Sequence, residues 1–235
     1  LCSEDESYYT YLLTLGSKFG DGPTPGDHFS ARARWVVGDD TRAVKSASEA
    51  QQDSLVMTVF SNSGYVAIHD VSSRRRIIFD AGPHGLEQLC AHAHADALSV
   101  TLSVRGIDVL IDPGTHVYNI RRLERDALRS TEAHSTVVVD GGSQSESAGP
   151  FVWLTKTDAV LEHSAARPWF AFAVGYHDGY EPVRHTRMVL AVAHDLLIMV
   201  DWLDGDKGTH SYLQTFSLGE GMSPRVVDGG WVLEQ

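Results

Sequence analysis

The stretch Ala91-His92-Ala93-His94-Ala95-Asp96 gathers two imidazoles and a carboxylate at alternate positions. In an extended chain His92, His94 and Asp96 point to one face, because successive side chains alternate. Asp112 follows in Ile111-Asp112-Pro113-Gly114-Thr115, and His134 in Glu132-Ala133-His134-Ser135-Thr136. Two imidazoles and one carboxylate (His94, His134 and Asp112) suit a zinc triad whose fourth position stays open to water or substrate. Calcium wants more oxygen ligands, so Zn2+ fits this donor set better. The competing explanation is that such histidines sit at strand ends and only hydrogen-bond loop backbone. Spacing alone leaves both open.

The elements that must position these residues read as β-structure. In Ala97 to Val104, Leu98, Val100, Leu102 and Val104 alternate with Ser99, Thr101 and Ser103, the pattern of a half-buried strand. Arg105-Gly106 separates it from Ile107 to Ile111 as a two-residue hairpin turn. A simple hairpin pairs Asp112 with Ser99 and leaves His94 roughly 16 Å further along the strand. A shared metal therefore requires the segment before Ala97 to curl back, or a bulge.

Further strands are expected at Ser54–Phe60, Gly64–His69, Arg76–Phe79, Ser135–Val139, Phe151–Leu161, Trp169–Val174, Thr186–Ala193, Leu196–Asp201, Ser211–Leu218 and Trp231 onward. His194-Asp195 and Asp228-Gly229-Gly230 read as turns. Many short strands without intervening helices predict an antiparallel β-sandwich, a mainly β fold. The N-terminal part differs. Tyr8, Tyr11, Leu12 and Leu15 lie on one face of a helix over Tyr8–Phe19, and Gly20 to Gly26 breaks it. A boundary is expected near Ser48–Asp53, giving a helical segment at 1–50 and the sandwich at 51–235.

Composition bounds the function. The 235 residues are 43% hydrophobic and 21% charged, ordinary for a globular protein. Apolar runs such as Leu196 to Val200 are too short to span a bilayer. The net charge of -12 opposes binding to nucleic acid or anionic membranes, so an anionic substrate needs a local basic feature. Cys2 and Cys90 cannot form a disulfide framework. The chain begins at Leu1 and ends at Gln235 inside an expected strand, which suggests a piece of a longer protein.

The ordered motifs resemble a family. His92-Ala-His94-Ala-Asp96-Ala-Leu-Ser, Asp112-Pro-Gly-Thr and Arg129-Ser-Thr-Glu-Ala-His134-Ser-Thr-Val-Val-Val-Asp140-Gly look like the heparinase II/III-like C-terminal domain. That domain is the β-sandwich part of polysaccharide lyases acting on heparin, heparan sulfate or alginate. Phe79-Asp-Ala-Gly-Pro83, Gln144-Ser-Glu146, Asp178-Gly-Tyr180, Arg187-Met-Val-Leu190 and Leu196 to Asp201 fit the same pattern. The resemblance runs from about Ser54 to the end. Residues 1–50 resemble the last helices of the (α/α) toroid that precedes the sandwich. Ser135 and Val100 depart from the family's common Asn and Phe.

The resemblance implies that His94, Asp112 and His134 bind zinc, that His92 faces substrate and assists catalysis, and that Tyr118 and Arg129 contact sugar or carboxylate. It implies β-elimination beside a uronic acid, with the main catalytic groups on the toroid. Little activity is expected from this chain without that toroid partner, and export to the periplasm or outside is expected from the family. The alternatives are a non-catalytic carbohydrate-binding or scaffolding sandwich, and a zinc enzyme unrelated to lyases. Arg121 to Arg129 is expected either as a basic feature for the glycan or as a solvated helix laced with ion pairs. Arg74-Arg75-Arg76 is expected to blunt a turn or edge. Most of Trp153, Trp169, Tyr176, Tyr180 and Trp202 are expected in the core, and His116, His163, His177, His185, His194 and His210 at the surface or strand ends.

Overall fold

The computed structural model describes residues 55–86, 90–193 and 196–234. The helix expected at Tyr8–Phe19, the segment 1–50, its boundary near Ser48–Asp53 and the His194-Asp195 turn lie outside the described residues.

The first five strands are β1 (Leu55–Phe60), β2 (Tyr65–Asp70), β3 (Arg75–Asp80), β4 (Val100–Val104) and β5 (Ile107–Leu110). They form one antiparallel sheet in chain order. Arg105 and Gly106 both take positive φ, 54° and 84°, as a tight hairpin with the sheet's own twist requires. A short helix α1 (Arg122–Leu128) and a 3-10 turn (Thr131–Ala133) follow. Then come β6 (Val137–Val139), β7 (Ser147–Gly149), β8 (Val152–Trp153), β9 (Val160–Arg167), β10 (Phe170–Tyr180), β11 (Val183–Val192), β12 (Leu196–Asp204), β13 (Tyr212–Gln214), β14 (Ser223–Val227) and β15 (Gly230–Glu234). β9 to β12 make a second antiparallel sheet, and β6–β13, β7–β8 and β14–β15 are two-stranded.

The two large sheets bury one core between them. Val66, Ile68, Ile77, Phe79 and Val100 of the first meet Ala171, Ala173, Val189 and Ala191 of the second. Large residues on one sheet face small ones on the other, so the layers interdigitate. Along β10 and β11 the inward pairs are Ala171–Ala191, Ala173–Val189, Gly175–Arg187 and His177–His185. The core therefore grades from apolar at one end to polar at the other.

Several expectations are corrected. The strand expected from Ala97 begins at Val100, because Asp96 to Ser99 closes a turn, with the Ser99 amide donating to the Asp96 carbonyl at 2.9 Å. The expected strand Phe151–Leu161 is two strands, β8 and β9. Between them the Thr157 amide donates to Ser145 Oγ at 3.0 Å, and its hydroxyl bonds the Gln144 carbonyl. His177 and His185, expected at the surface or strand ends, lie toward the ends of β10 and β11 but are 1% and 0% exposed, because the pleat turns both inward. Trp169 and Trp202 are exposed instead of buried. Trp202 sits on the outward face of β12, where the register pairs it with the outward Thr186. Of the arginine run, Arg74 occupies a turn with φ 53°. Arg75 is buried and ties Asp70 to the Val192 carbonyl of the other sheet.

Candidate metal centre and its surroundings

The chain brings His94, Asp112 and His134 together by both devices that the spacing demands. Before β4 the Asp96–Ser99 turn folds the segment back, with buried Leu98 held at φ 61°, strain that a β-carbon resists. In the β4–β5 ladder, Ser103 pairs with Asp108 but Leu102 with Leu110, so β5 carries a bulge at Val109. His134 leaves the 3-10 turn, and its Nδ1 lies 2.8 Å from the Ser130 carbonyl. A carbonyl only accepts, so Nδ1 carries the proton and the Nε2 lone pair faces the cluster.

His94 Nδ1 lies 3.0 Å from His134 Nε2. Asp112 Oδ2 lies 3.6 Å from the first and 3.7 Å from the second. Ligand atoms of His94, Asp96, Asp112 and His134 all fall within 4.8 Å of one another. Four ligands of a tetrahedral ion at about 2.0–2.1 Å stand roughly 3.3 Å apart, so the spacing and the N/O donor set fit a small divalent ion. Asp96 is the member that sequence reasoning left out of the ligand set, although alternation had put it on the His94 face.

The electrostatics follow from burial and contact. Burial pulls the Asp112 carboxyl upward. The neighbouring His94, the Gly114 amide and His134 outweigh it and hold Asp112 at about 2. Asp96 is more enclosed, and burial raises its carboxyl despite His134 and His94.

The ligand loops are clamped from behind. The Ala95 amide donates to the Arg129 carbonyl at 2.8 Å, and Thr131 Oγ1 donates to the Ala95 carbonyl at 2.8 Å. Arg187, 0% exposed, donates from Nη1 to the carbonyls of Leu98 at 2.9 Å and Ser135 at 2.7 Å. Its other nitrogens pair with Asp201 at 2.7 and 3.0 Å. His177 Nδ1 accepts the Gly179 amide at 3.1 Å, and its Nε2 lies 3.2 Å from both His185 Nδ1 and Gln144 Nε2. His185 Nε2 in turn donates to Asp201 Oδ1 at 2.7 Å. Burial disfavours charge on both rings. Burial, then the neighbouring His185, pushes His177 down to about 3.

The other expected site residues lie around the cluster. His92 is exposed, with its ring 5.8 Å from Tyr118. Tyr118 is 61% exposed. Arg129 is turned inward and 0% exposed. It bonds Asp126, Ser147 and the Gly149 carbonyl and lies 4.7 Å from the Trp153 ring. It lines a cavity of about 270 Å3 with Ser143 and Ser145. The expected solvated helix is half right. Arg121–Glu124 and Arg122–Asp126 are exposed ion pairs, whereas Arg125 and Arg129 are buried.

The family model for the heparinase II/III-like C-terminal domain matches residues 53–231. The chain belongs to that family. The domain's fold recurs in solved structures. Heparan sulfate lyase HepC from Pedobacter heparinus is 19% identical with a TM-score of 0.52, over 64% of this chain and 22% of that one. A heparinase III gene product with methylated lysines is 20% identical with a TM-score of 0.54, over 72% and 29%. A further heparinase III is 18% identical with a TM-score of 0.54, over 65% and 23%. The chain thus covers less than a third of the length of these proteins. Among curated proteins none matches. No helix among the described residues is long and apolar enough to cross a membrane.

Proposed function

We propose that this heparinase II/III-like domain is the zinc-bracing sandwich of an exported polysaccharide lyase that cleaves uronic-acid-containing glycans by β-elimination. The observation that carries the reading is the convergence of His94, Asp96, Asp112 and His134 within a chain of this family. When bound, zinc would supply a fixed positive charge beside the acidic substrate. The chain's own residues do the remaining work. The oriented His134 Nε2, the His94 ring and the ionised Asp112 hold the cluster's geometry. His92, exposed beside Tyr118, is the group positioned to exchange a proton with a sugar. Tyr118 offers a ring and hydroxyl to the substrate. Removal of the uronate C5 proton needs the neighbouring carboxylate neutralised; an imidazole takes that proton as general base, the C4–C5 double bond forms as the C4–O bond breaks, and the leaving oxygen takes a proton from a general acid. In this reading a helical toroid completes the site, so the isolated chain is expected to be nearly inactive.

Metal analysis of the purified chain tests the reading. One zinc per chain is expected, and His94→Ala should lose it. Retention of stoichiometric zinc by His94→Ala would reject the ligand assignment. Strong ultraviolet absorbance from unsaturated product, generated by this chain alone, would reject the dependence on the toroid.

A further inference from the structure

Arg125 is 1% exposed, and its guanidinium joins three loops that are far apart in sequence. Nε donates to the Pro150 carbonyl at 2.9 Å, Nη1 to the Val117 carbonyl at 3.0 Å and Nη2 to the Ala91 carbonyl at 3.3 Å. Each carbonyl belongs to the residue immediately before a ring: Phe151, Tyr118 and His92. The rings form one group, with Tyr118 and Phe151 4.9 Å apart and His92 5.8 and 6.4 Å from them. The guanidinium carbon lies 5.2 Å from the Phe151 centroid and 5.8 Å from that of Tyr118.

We propose that His92, Tyr118 and Phe151 form a stacking platform for a pyranose ring of an acidic glycan, and that Arg125 is the positioning residue that sets all three rings. The acidic character of the sugar rests on the lyase reading above. The platform itself rests on the geometry. A rigid planar fork holds three separated carbonyls in fixed directions, which the compact ammonium of lysine, with its three donors on one atom, does not. The ion pairs around α1 go to Arg121, Arg122 and Arg129. Arg125 itself forms no ion pair among the described residues, and its hydrogen bonds go to carbonyls. Aromatic faces attract cations through their quadrupole, and here a cation already lies against two of them. The platform therefore accepts a neutral or anionic ring in preference to an amino sugar. It also supplies local positive charge that a chain of net charge -12 needs.

Calorimetric titration of the metal-loaded chain at about 0.15 M salt, where exposed charges are screened beyond about 8 Å, tests this with three probes. They are an alginate tetrauronate, neutral cellotetraose and a cationic glucosamine tetramer. The expected order of affinity is uronate, then neutral, then cationic. Phe151→Ala and Phe151→Leu should each weaken uronate binding about five- to tenfold, the effect of losing one stacked ring. Arg125→Lys should weaken it while shifting the His92 ring-proton resonances and leaving zinc content unchanged. If the Phe151 or Arg125 variants fail to fold by circular dichroism, Tyr118→Ala, mostly in solvent, carries the same expectation. Uronate binding that is unchanged in the folded ring variants would overturn the platform and leave the lyase reading standing. Phe151-dependent binding of cellotetraose without uronate binding would keep the platform and overturn the acidic-glycan assignment. Absence of binding to all three probes would overturn the platform.

Discussion

His134 has one ring nitrogen committed to the Ser130 carbonyl and the other turned to the cluster. It is 1% exposed, so its orientation is set before any ion arrives. A ligand that binds the folded chain alone raises stability by about 2.7 kcal/mol at a hundred times its Kd. Zinc should therefore raise the melting temperature of the wild-type chain, and His134→Ala should abolish that rise as well as the bound metal. Differential scanning fluorimetry with zinc and with chelator checks both. At this scale three members of the cluster, His94, Asp112 and His134, were legible, because imidazoles and carboxylates at fixed places are written in residue identity. The membership of Asp96 was not, because alternation gives a common face but not the Asp96–Ser99 turn that gathers it. The roles of Arg125 and Phe151 were hidden for another reason. Arg125 acts on backbone carbonyls, which leave no mark on residue type.

β10 and β11 carry the site from behind through Arg187. Removing a buried guanidinium that bonds two carbonyls of the cluster loops and a carboxylate takes from Asp201 its arginine partner and leaves it only the His185 ring and the Gln214 amide. Loss of one partner of a buried pair costs about 3–5 kcal/mol. Arg187→Met is thus expected to unfold at much lower urea concentration and to hold metal less tightly. Urea titration and metal analysis measure the two effects. One pair along the same strands, Gly175 has no room for a side chain. An added Cβ would meet Ala81 Cβ at 2.8 Å and Leu98 Cδ2 at 2.9 Å. Gly175→Ala should cost about 1–3 kcal/mol through overpacking, with Ala81 and Leu98 the nearest neighbours to be displaced. Period-two alternation made these strands legible, yet it did not reveal which end of the sandwich is polar. That follows from the register, which sets Gly175 against Arg187 and His177 against His185. Trp202, on the outward face of β12, and Trp169, in the turn between β9 and β10, likewise looked like core because residue type does not tell an outward position from an inward one.

The whole molecule carries a net charge of -12 at pH 7, so acidification should relieve self-repulsion. Its buried imidazoles act against that relief. Burial lowers His84 to about 4, and burial with His185 alongside lowers His177 to about 3; burial also lowers His185. A group whose folded pKa is depressed stabilises above its unfolded pKa, and that stability is lost as pH falls toward the folded value. For these histidines the window opens at about 6.5 and reaches down to about 4 and 3. Asp112 and Asp201, both held low, lose their contribution only below about 3.9, outside most of that window. Asp80 and Asp96, raised by burial, pull the other way, since a raised group stabilises as pH falls. The net slope of stability is therefore a small difference of opposed parts, and the His177 contribution is read by subtraction. Each group titrating only in the unfolded state contributes up to about 1.4 kcal/mol per pH unit. Relative to wild type, His177→Gln should gain about 3 kcal/mol between pH 6.5 and 4, even if it is less stable at pH 7. Urea unfolding of both chains across that range, with chelator present, measures the difference. Parallel curves for the two chains would mean that the His177 imidazole does not stay neutral in the folded protein.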